Sequence, residues 1–300
     1  MSGARSGLAV RNKRILVSDG QLVRCSVAFD IPTERDHLMM HSILSTDASL
    51  HVRDAGPQDA QVLMFSNSLG TDLRVWELML EHLSGDYRIV RYDKRGHGLS
   101  DCPNAPYSME QLVNDAETVA TALQLSNINF VGLSIGGLIG QGLAAKRPDL
   151  LRSLVLMDTA AKIGTGAMWE ERIAVLRKGG MAGMADAILD RWFIDPLRNH
   201  KNDLAVWRNM VTRTPLEGYI GCCQAIASAD FRASTALLKL PVLGIAGDKD
   251  AATPPLIVEE TTKLCGGQFS LVAGAGHLPC VEQPSVTAKL IEDFIQATQA

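Results

Sequence analysis

The chain has 300 residues, 46% hydrophobic and 21% charged, with a formal net charge of −4. That is enough chain for one large domain or two ordinary ones with a sizeable core. The scattered Lys and Arg exclude nucleic acid or an acidic membrane surface as the main partner, and no apolar run approaches the length of a membrane span.

Residues 1–41 have poor periodicity and mixed polarity and read as a flexible N-terminal extension. The first part, residues 1–14, is basic but lacks the apolar stretch of a secretory signal. From about Ser42 the pattern becomes regular. Residues 43–53 suggest a hairpin pair, residues 62–65 a short buried strand with a loop after it, and residues 76–83 a helix by apolar spacing. Residues 88–92 form the next strand. Residues 108–123 form an amphipathic helix with Ser108 at its N-cap. Residues 128–133 are an apolar strand that runs into Gly132-x-Ser134-x-Gly136, followed by small, helix-compatible residues. Further strands fall at residues 151–157, 242–246 and 269–272, and a helix over 285–298 closes the chain. Strands alternating with helices predict an α/β fold: a mostly parallel twisted sheet with helices on both faces. Residues 160–231 contain helical segments and no convincing strand, too long a stretch for a loop. The expected organisation is therefore an extension over 1–41, an α/β core over 42–159 and 232–300, and a helical cap over 160–231, above the carboxyl ends of the strands where such sheets bind ligands.

Gly132-x-Ser134-x-Gly136 has the form of a nucleophile elbow, a serine on a sharp strand-to-helix turn flanked by glycines because side chains there would collide. A nucleophilic serine needs a base, and the base an orienting acid. His277, in Gly274-Ala275-Gly276-His277, follows the last strand and is the only one of seven histidines after residue 200. The acid has three candidates. Asp250 is favoured for its place just past the strand at 242–246 and the Thr-Pro-Pro behind it; Asp248 shares that loop, and Asp158 ends the strand at 151–157. Ile135, directly after the serine, supplies one backbone N–H for the oxyanion, and Leu69, in Ser66-Asn67-Ser68-Leu69-Gly70, the other, with Asn67 supporting that loop. The run Asp93-Lys94-Arg95-Gly96-His97-Gly98-Leu99-Ser100 reads as a glycine-dependent loop braced by Asp93 and Arg95 rather than as a second catalytic set. No His or Cys pair has metal-ligand spacing and the phosphate-loop lysine is missing, so no metal or cofactor is expected. The six cysteines include no Cys-x-x-Cys pair and read as reduced thiols of a cytoplasmic protein.

On these residues the chain resembles the α/β-hydrolases over roughly 42–298 and, more narrowly, is similar to the 3-oxoadipate enol-lactonases. The narrower resemblance is carried by Ser66-Asn67-Ser68-Leu69-Gly70-Thr71-Asp72, by Gly221-Cys222-Cys223-Gln224-Ala225-Ile226 with Asp230-Phe231-Arg232, by Asp250-Ala251-Ala252-Thr253-Pro254-Pro255, and by Gly276-His277-Leu278 with Glu282-Gln283-Pro284. It implies a triad of Ser134, Asp250 and His277 and a carboxylic ester hydrolase that opens a small carboxylate-bearing enol-lactone to 3-oxoadipate in the breakdown of aromatic acids (the beta-ketoadipate pathway). The substrate's free carboxylate calls for a cation, for which Lys162 is the candidate, with Trp169 as a pocket wall. The alternatives are a general carboxylesterase, a cofactor-free perhydrolase with the same triad, or a non-catalytic binding protein on the same scaffold.

Overall fold

The structure, a computed structural model, describes residues 10–16, 22–28 and 39–298. The chain divides into two units, residues 1–38 and 39–300. In the first, β1 (Val10–Leu16) pairs antiparallel with β2 (Leu22–Ala28), Val10 opposite Ala28 and Leu16 opposite Leu22. The remainder of the expected N-terminal extension, up to residue 38, lies outside the described residues, and Met39 already belongs to the second unit.

The second unit is built on one eight-stranded sheet, in the order β10-β9-β8-β7-β5-β6-β4-β3. Its strands are β3 (Met39–Leu44), β4 (Ser49–Ala55), β5 (Gln61–Ser66), β6 (Tyr87–Tyr92), β7 (Ile128–Leu133), β8 (Leu151–Met157), β9 (Val242–Gly247) and β10 (Gln268–Val272). β3 and β4 form the expected hairpin, Ile43 opposite Leu50, and β4 alone runs against its neighbours. Burial explains the patterns. β4 alternates buried and half-buried residues, as a strand near the sheet edge does, whereas every residue of β7 and β9 is buried, as in strands covered on both faces.

The covering helices follow their local signals. α1 (Glu77–Leu80) is one short turn, continued from a 3₁₀ turn over Leu73–Trp76 that Asp72 caps through the Arg74 N–H. The helical turns run over 73–80 where the apolar spacing predicts 76–83, the same length begun three residues earlier, because the Asp72 cap sets their beginning. α2 (Met109–Ala122) has the expected Ser108 cap as a reciprocal box: Ser108 Oγ accepts from Gln111 N–H, and the Gln111 side chain accepts from Ser108 N–H. α3 (Ile135–Lys146) starts on the elbow and is almost wholly buried. Between β8 and β9 come only helices: α4 (Gly166–Trp192), α5 (Asp195–Arg198), α6 (Lys201–Arg213), α7 (Leu216–Ser228) and α8 (Arg232–Thr235). α4 is the spine of this insertion, with α6 and α7 packed on it. α9 (Pro255–Leu264) links β9 to β10. α10 (Pro279–Glu282) and α11 (Pro284–Ala297) follow the last strand. Among the described residues no helix is long and apolar enough to cross a membrane, and Cys102, Cys222, Cys223, Cys265 and Cys280 are free thiols.

Candidate active site

Four neighbouring strands deliver the chemistry-bearing residues. Ser134 follows β7, Asp158 follows β8, Asp250 lies in the loop after β9 and His277 in the loop after β10. Neighbouring strands lie about 4.8 Å apart, so adjacent strand ends bring these side chains within reach of one another despite sequence gaps of up to 143 residues.

The elbow itself is strained. Ser134 has φ 57° and ψ −118°, which an L-residue rarely adopts, and its N–H is tied to Met157 O at 2.9 Å. The flanking glycines are required by close approach. A Cβ on Gly132 would run into the Gly136 carbonyl, and one on Gly136 into the Ser66 carbonyl. Ser134, His277 and Asp250 are all buried. His277 Nδ1 lies 2.9 Å from Asp250 Oδ2. Asp250 also accepts from the Ala252 and Thr253 N–H groups at 2.7 and 3.1 Å and from the Thr253 hydroxyl at 2.6 Å. Burial by itself would push the Asp250 carboxyl up; the charge and hydrogen bond of His277, with those of Thr253 and Ala252, outweigh it and hold the group below its usual value. On the other side of the ring, His277 Nε2 lies 3.5 Å from the Ser68 hydroxyl, and Ser68, Ser134 and His277 line one cavity of about 230 Å³.

The loop carrying Ser68 and Leu69 is held from below. The Lys94 ammonium, wholly buried, donates to Ser68 O at 2.6 Å and to Thr71 O at 3.3 Å. Burial pushes its pKa down to about 8. The Asn67 amide donates to Thr71 O, and Gly70 N–H donates to His97 Nε2 at 3.0 Å. Asp93 accepts from the Leu73 and Leu99 N–H groups and contacts His51 Nδ1 at 2.7 Å, while Arg95 binds Asp115 through two nitrogens at 2.6 and 2.8 Å. The 93–100 segment is thus a brace, and its lysine and histidine reach further into the neighbouring loop than the sequence reading expected. Leu69 borders the cavity, and among the described residues neither its N–H nor that of Ile135 is engaged in a turn, loop or cap bond. Ile135 opens α3, so its N–H has no acceptor within the helix.

The expected cation is not in the cavity. Lys162 is exposed and ion-paired with Asp230 at 3.2 Å, outside the lining. Asp230 is held in turn by Arg232, which keeps this pair on the surface. Two arginines line the cavity instead, Arg172 and Arg191, both from α4. Arg172 donates to the Tyr219 hydroxyl at 2.6 Å and lies over the Trp169 and Tyr219 rings at 5.6 and 5.7 Å. Its Nε is buried without a partner, and neither arginine pairs with a carboxylate among the described residues. Burial, then the Arg172 charge, push Arg191 below its usual value. Trp169 lines the cavity and also packs, its indole N–H donating to Ile163 O at 2.7 Å.

A break in α4 makes this lining possible. Nineteen residues of straight helix would set Arg172 and Arg191 about 28 Å apart. Gly180, with φ 64° and ψ −175°, folds α4 on itself, so that Met168, Trp169 and Arg172 from one half meet Ile188, Arg191 and Trp192 from the other. The signal was present as the Gly179-Gly180 pair. The far end of α4 is stapled to the histidine loop. His277 N–H donates to Trp192 O at 2.8 Å, and Glu282 accepts from Gly276 N–H and Ile194 N–H.

The Alpha/beta hydrolase family model matches residues 63–290. The 3-oxoadipate enol-lactonase 2 of Acinetobacter baylyi is 32% identical over 261 residues, 84% of this chain and 94% of that protein. Among solved structures, the enol-lactonase from Burkholderia xenovorans LB400 superposes with a TM-score of 0.81 at 36% identity, covering 86% of this chain and all of that one. A thermophilic esterase from Thermogutta terrifontis, in a malate-bound structure, gives 0.80 at 27% identity, covering 87% of this chain and all of that one. With a serine elbow on the central strand of a mostly parallel sheet and a histidine and buried aspartate at the neighbouring strand ends, the chain belongs to the alpha/beta hydrolase family.

Proposed function

We propose that this hydrolase opens the ring of 3-oxoadipate enol-lactone, or of a close carboxylate-bearing lactone, with Ser134 as nucleophile, His277 as base and Asp250 as orienting acid. The observation that carries the substrate class is the pair Arg172 and Arg191, two guanidinium groups without a carboxylate partner among the described residues, in the same small cavity as Ser134 and His277. Arg172 is half-buried with its Nε out of reach of a partner and Arg191 is exposed, so the cavity presents two cations that an anion can join. A substrate carboxylate would supply it, forming the charge-assisted bonds that arginine makes best.

The chemistry follows from that placement. Ser134 Oγ attacks the lactone carbonyl while its proton moves to His277. Asp250 holds the imidazole through Nδ1 and stabilises the imidazolium. The Leu69 and Ile135 N–H groups face the tetrahedral oxyanion. Collapse breaks the ring C–O bond and expels an enolate, a better leaving group than an alkoxide, tethered to the acyl chain. The enolate takes the proton back from His277 as it becomes the ketone, which removes the nucleophile that would close the ring again. Water activated by His277 then frees Ser134. The helical insertion acts as the cap that supplies the substrate's anchor.

An esterase reading rests on the rest of the lining, since Leu69, Ile163, Met168, Ile188, Ile226 and Ile257 suit a neutral acyl chain. The two readings separate by measuring enol-lactone loss by ultraviolet absorbance beside hydrolysis of a neutral p-nitrophenyl ester. Ser134→Ala should lower turnover of both by about 10⁴-fold or more. Arg172→Ala should raise KM for the lactone by about 10- to 100-fold, the worth of a charged hydrogen bond, and leave the ester within about 3-fold. Fast ester cleavage with an untouched lactone moves the function to the esterase. Equal losses on both substrates in Arg172→Ala remove the carboxylate subsite.

A further inference from the structure

Two buried aspartates stand side by side in this site, and only one is accounted for by the proposed reaction. Asp158 ends β8 with φ 43°, its N–H held by Ile245 O at 2.8 Å. Its side chain is wholly buried, and its Oδ1 accepts a single bond, from Gly247 N–H at 2.9 Å. Its Oδ2 is buried with no hydrogen-bond partner among the described residues. Asp158, Asp250 and His277 each offer one ligand atom within a 4.8 Å circle. The two carboxyl groups differ in what is aimed at them. Asp250 receives four donors, two on each oxygen, and Asp158 receives one. Two carboxylates this close in a dry site do not both ionise, and the one with fewer donors keeps the proton. The directions agree. Burial first, then the Asp250 charge, push Asp158 well above the usual carboxylate range, while Asp250 is held below it. The other titratable groups facing this cluster are Glu282 and Cys280 on α10 and Arg191 on α4, whose charge interacts with Asp250. Burial raises Glu282 and Cys280, and a cation beside Asp250 favours the ionised form there rather than on Asp158.

We propose that Asp158 is a carboxylic acid that keeps its proton through the reaction and donates it in a hydrogen bond to the Asp250 carboxylate, as a positioning residue for the Asp250–His277 pair. This rests on reading Asp250 as the acid partner of His277. No proton is transferred in the step. The O–H stays on Asp158, Asp250 stays an acceptor, and the proton from Ser134 resides on His277. The bond fixes the carboxylate's orientation and supplies an internal donor where water is excluded.

The test compares Asp158→Ala, which loses the donor, with Asp158→Asn, which keeps one and cannot ionise. Asp158→Ala should lower kcat by about 10-fold with KM unchanged, and Asp158→Asn should recover most of that loss. Melting temperature against pH reads the proton itself, without substrate. Asp158 unfolded titrates near about 4, and folded it titrates higher. The native wild type therefore binds an extra proton between those values and loses stability there as pH rises, whereas Asp158→Asn does not. The variant's Tm advantage should widen by about 5 °C between pH 5 and pH 7. A difference that stays flat with pH, or Asp158→Asn as slow as Asp158→Ala, overturns the proposal. So does activity lost on dialysis against EDTA and restored by a divalent cation, which would assign the three groups to a metal. Full activity in Ser134→Ala or Asp250→Asn would instead overturn the triad reading, and the Tm series would stand independently.

Discussion

The strand-end rim and the helical insertion divide the work of the site in opposite ways. The rim, from β7 to β10, carries on short loops the groups to which the proposed reaction assigns the chemistry, and Asp250 there receives four hydrogen bonds. In the proposed reaction the insertion holds the groups that fit charge and shape. Its Arg172, Arg191, Trp169 and Ile188 all come from one helix broken at Gly180. Rigid strand ends suit chemistry that tolerates little displacement. A broken helix resting on the rim suits recognition, because its lining can change without disturbing the rim. The two regions meet where His277 N–H and Glu282 bind the end of α4.

If that division is right, removing a rim group should cost turnover on every substrate. Asp250→Asn should lower kcat by about 10⁴-fold on lactone and ester alike, since the imidazole loses the acceptor that sets its tautomer. It should also change acid stability. Asp250 is depressed in the folded state, so its contribution is present above the unfolded carboxyl pKa and lost as pH falls through the folded one. The Tm gap between wild type and Asp250→Asn should therefore close on acidification below about pH 4.

A change in the insertion should act on binding. Gly180 occupies a backbone region that is nearly glycine's alone, and a Cβ there meets nothing within 4 Å, so Gly180→Ala adds strain without a clash. The expected cost is about 1–3 kcal/mol by denaturant unfolding, with a raised KM for the lactone and kcat changed by less than about 3-fold, because the rim keeps its geometry. A fall in kcat as large as that of Asp250→Asn would show that the two regions are not separable.

The smallest effect belongs to Lys162. Its partner Asp230 and the lysine itself are solvent-exposed. Lys162→Ala should change stability by less than about 1 kcal/mol and leave KM for the lactone within about 2-fold of wild type. A KM rise matching that of Arg172→Ala would bring the lysine back into substrate binding.

Much of this architecture is legible along the chain because its signals are local. The Gly-x-Ser-x-Gly turn, the apolar runs of β7 to β9, the Ser108 cap and the Gly276-His277 loop each declare themselves within a few residues. Steric need explains the elbow glycines, which abut the Ser66 and Gly136 carbonyls. The strand-free stretch between β8 and β9 is equally plain, since no alternating or continuous apolar run of strand length occurs there.

What only the tertiary structure decided is which distant side chains share a space. Lys162 precedes α4 by a few residues and looked well placed, yet it is turned to Asp230 on the surface. Arg172 and Arg191 lie nineteen residues apart and reach one cavity because α4 folds back at a glycine. Asp158 and Asp250 both fit the position of the acid in sequence. The donors around each, supplied by Gly247 in one case and by Ala252, Thr253 and His277 in the other, separate an acid that keeps its proton from one that does not. A carboxyl group's charge depends on its surroundings within a few ångströms, and those surroundings are assembled by folding from strands remote in the chain.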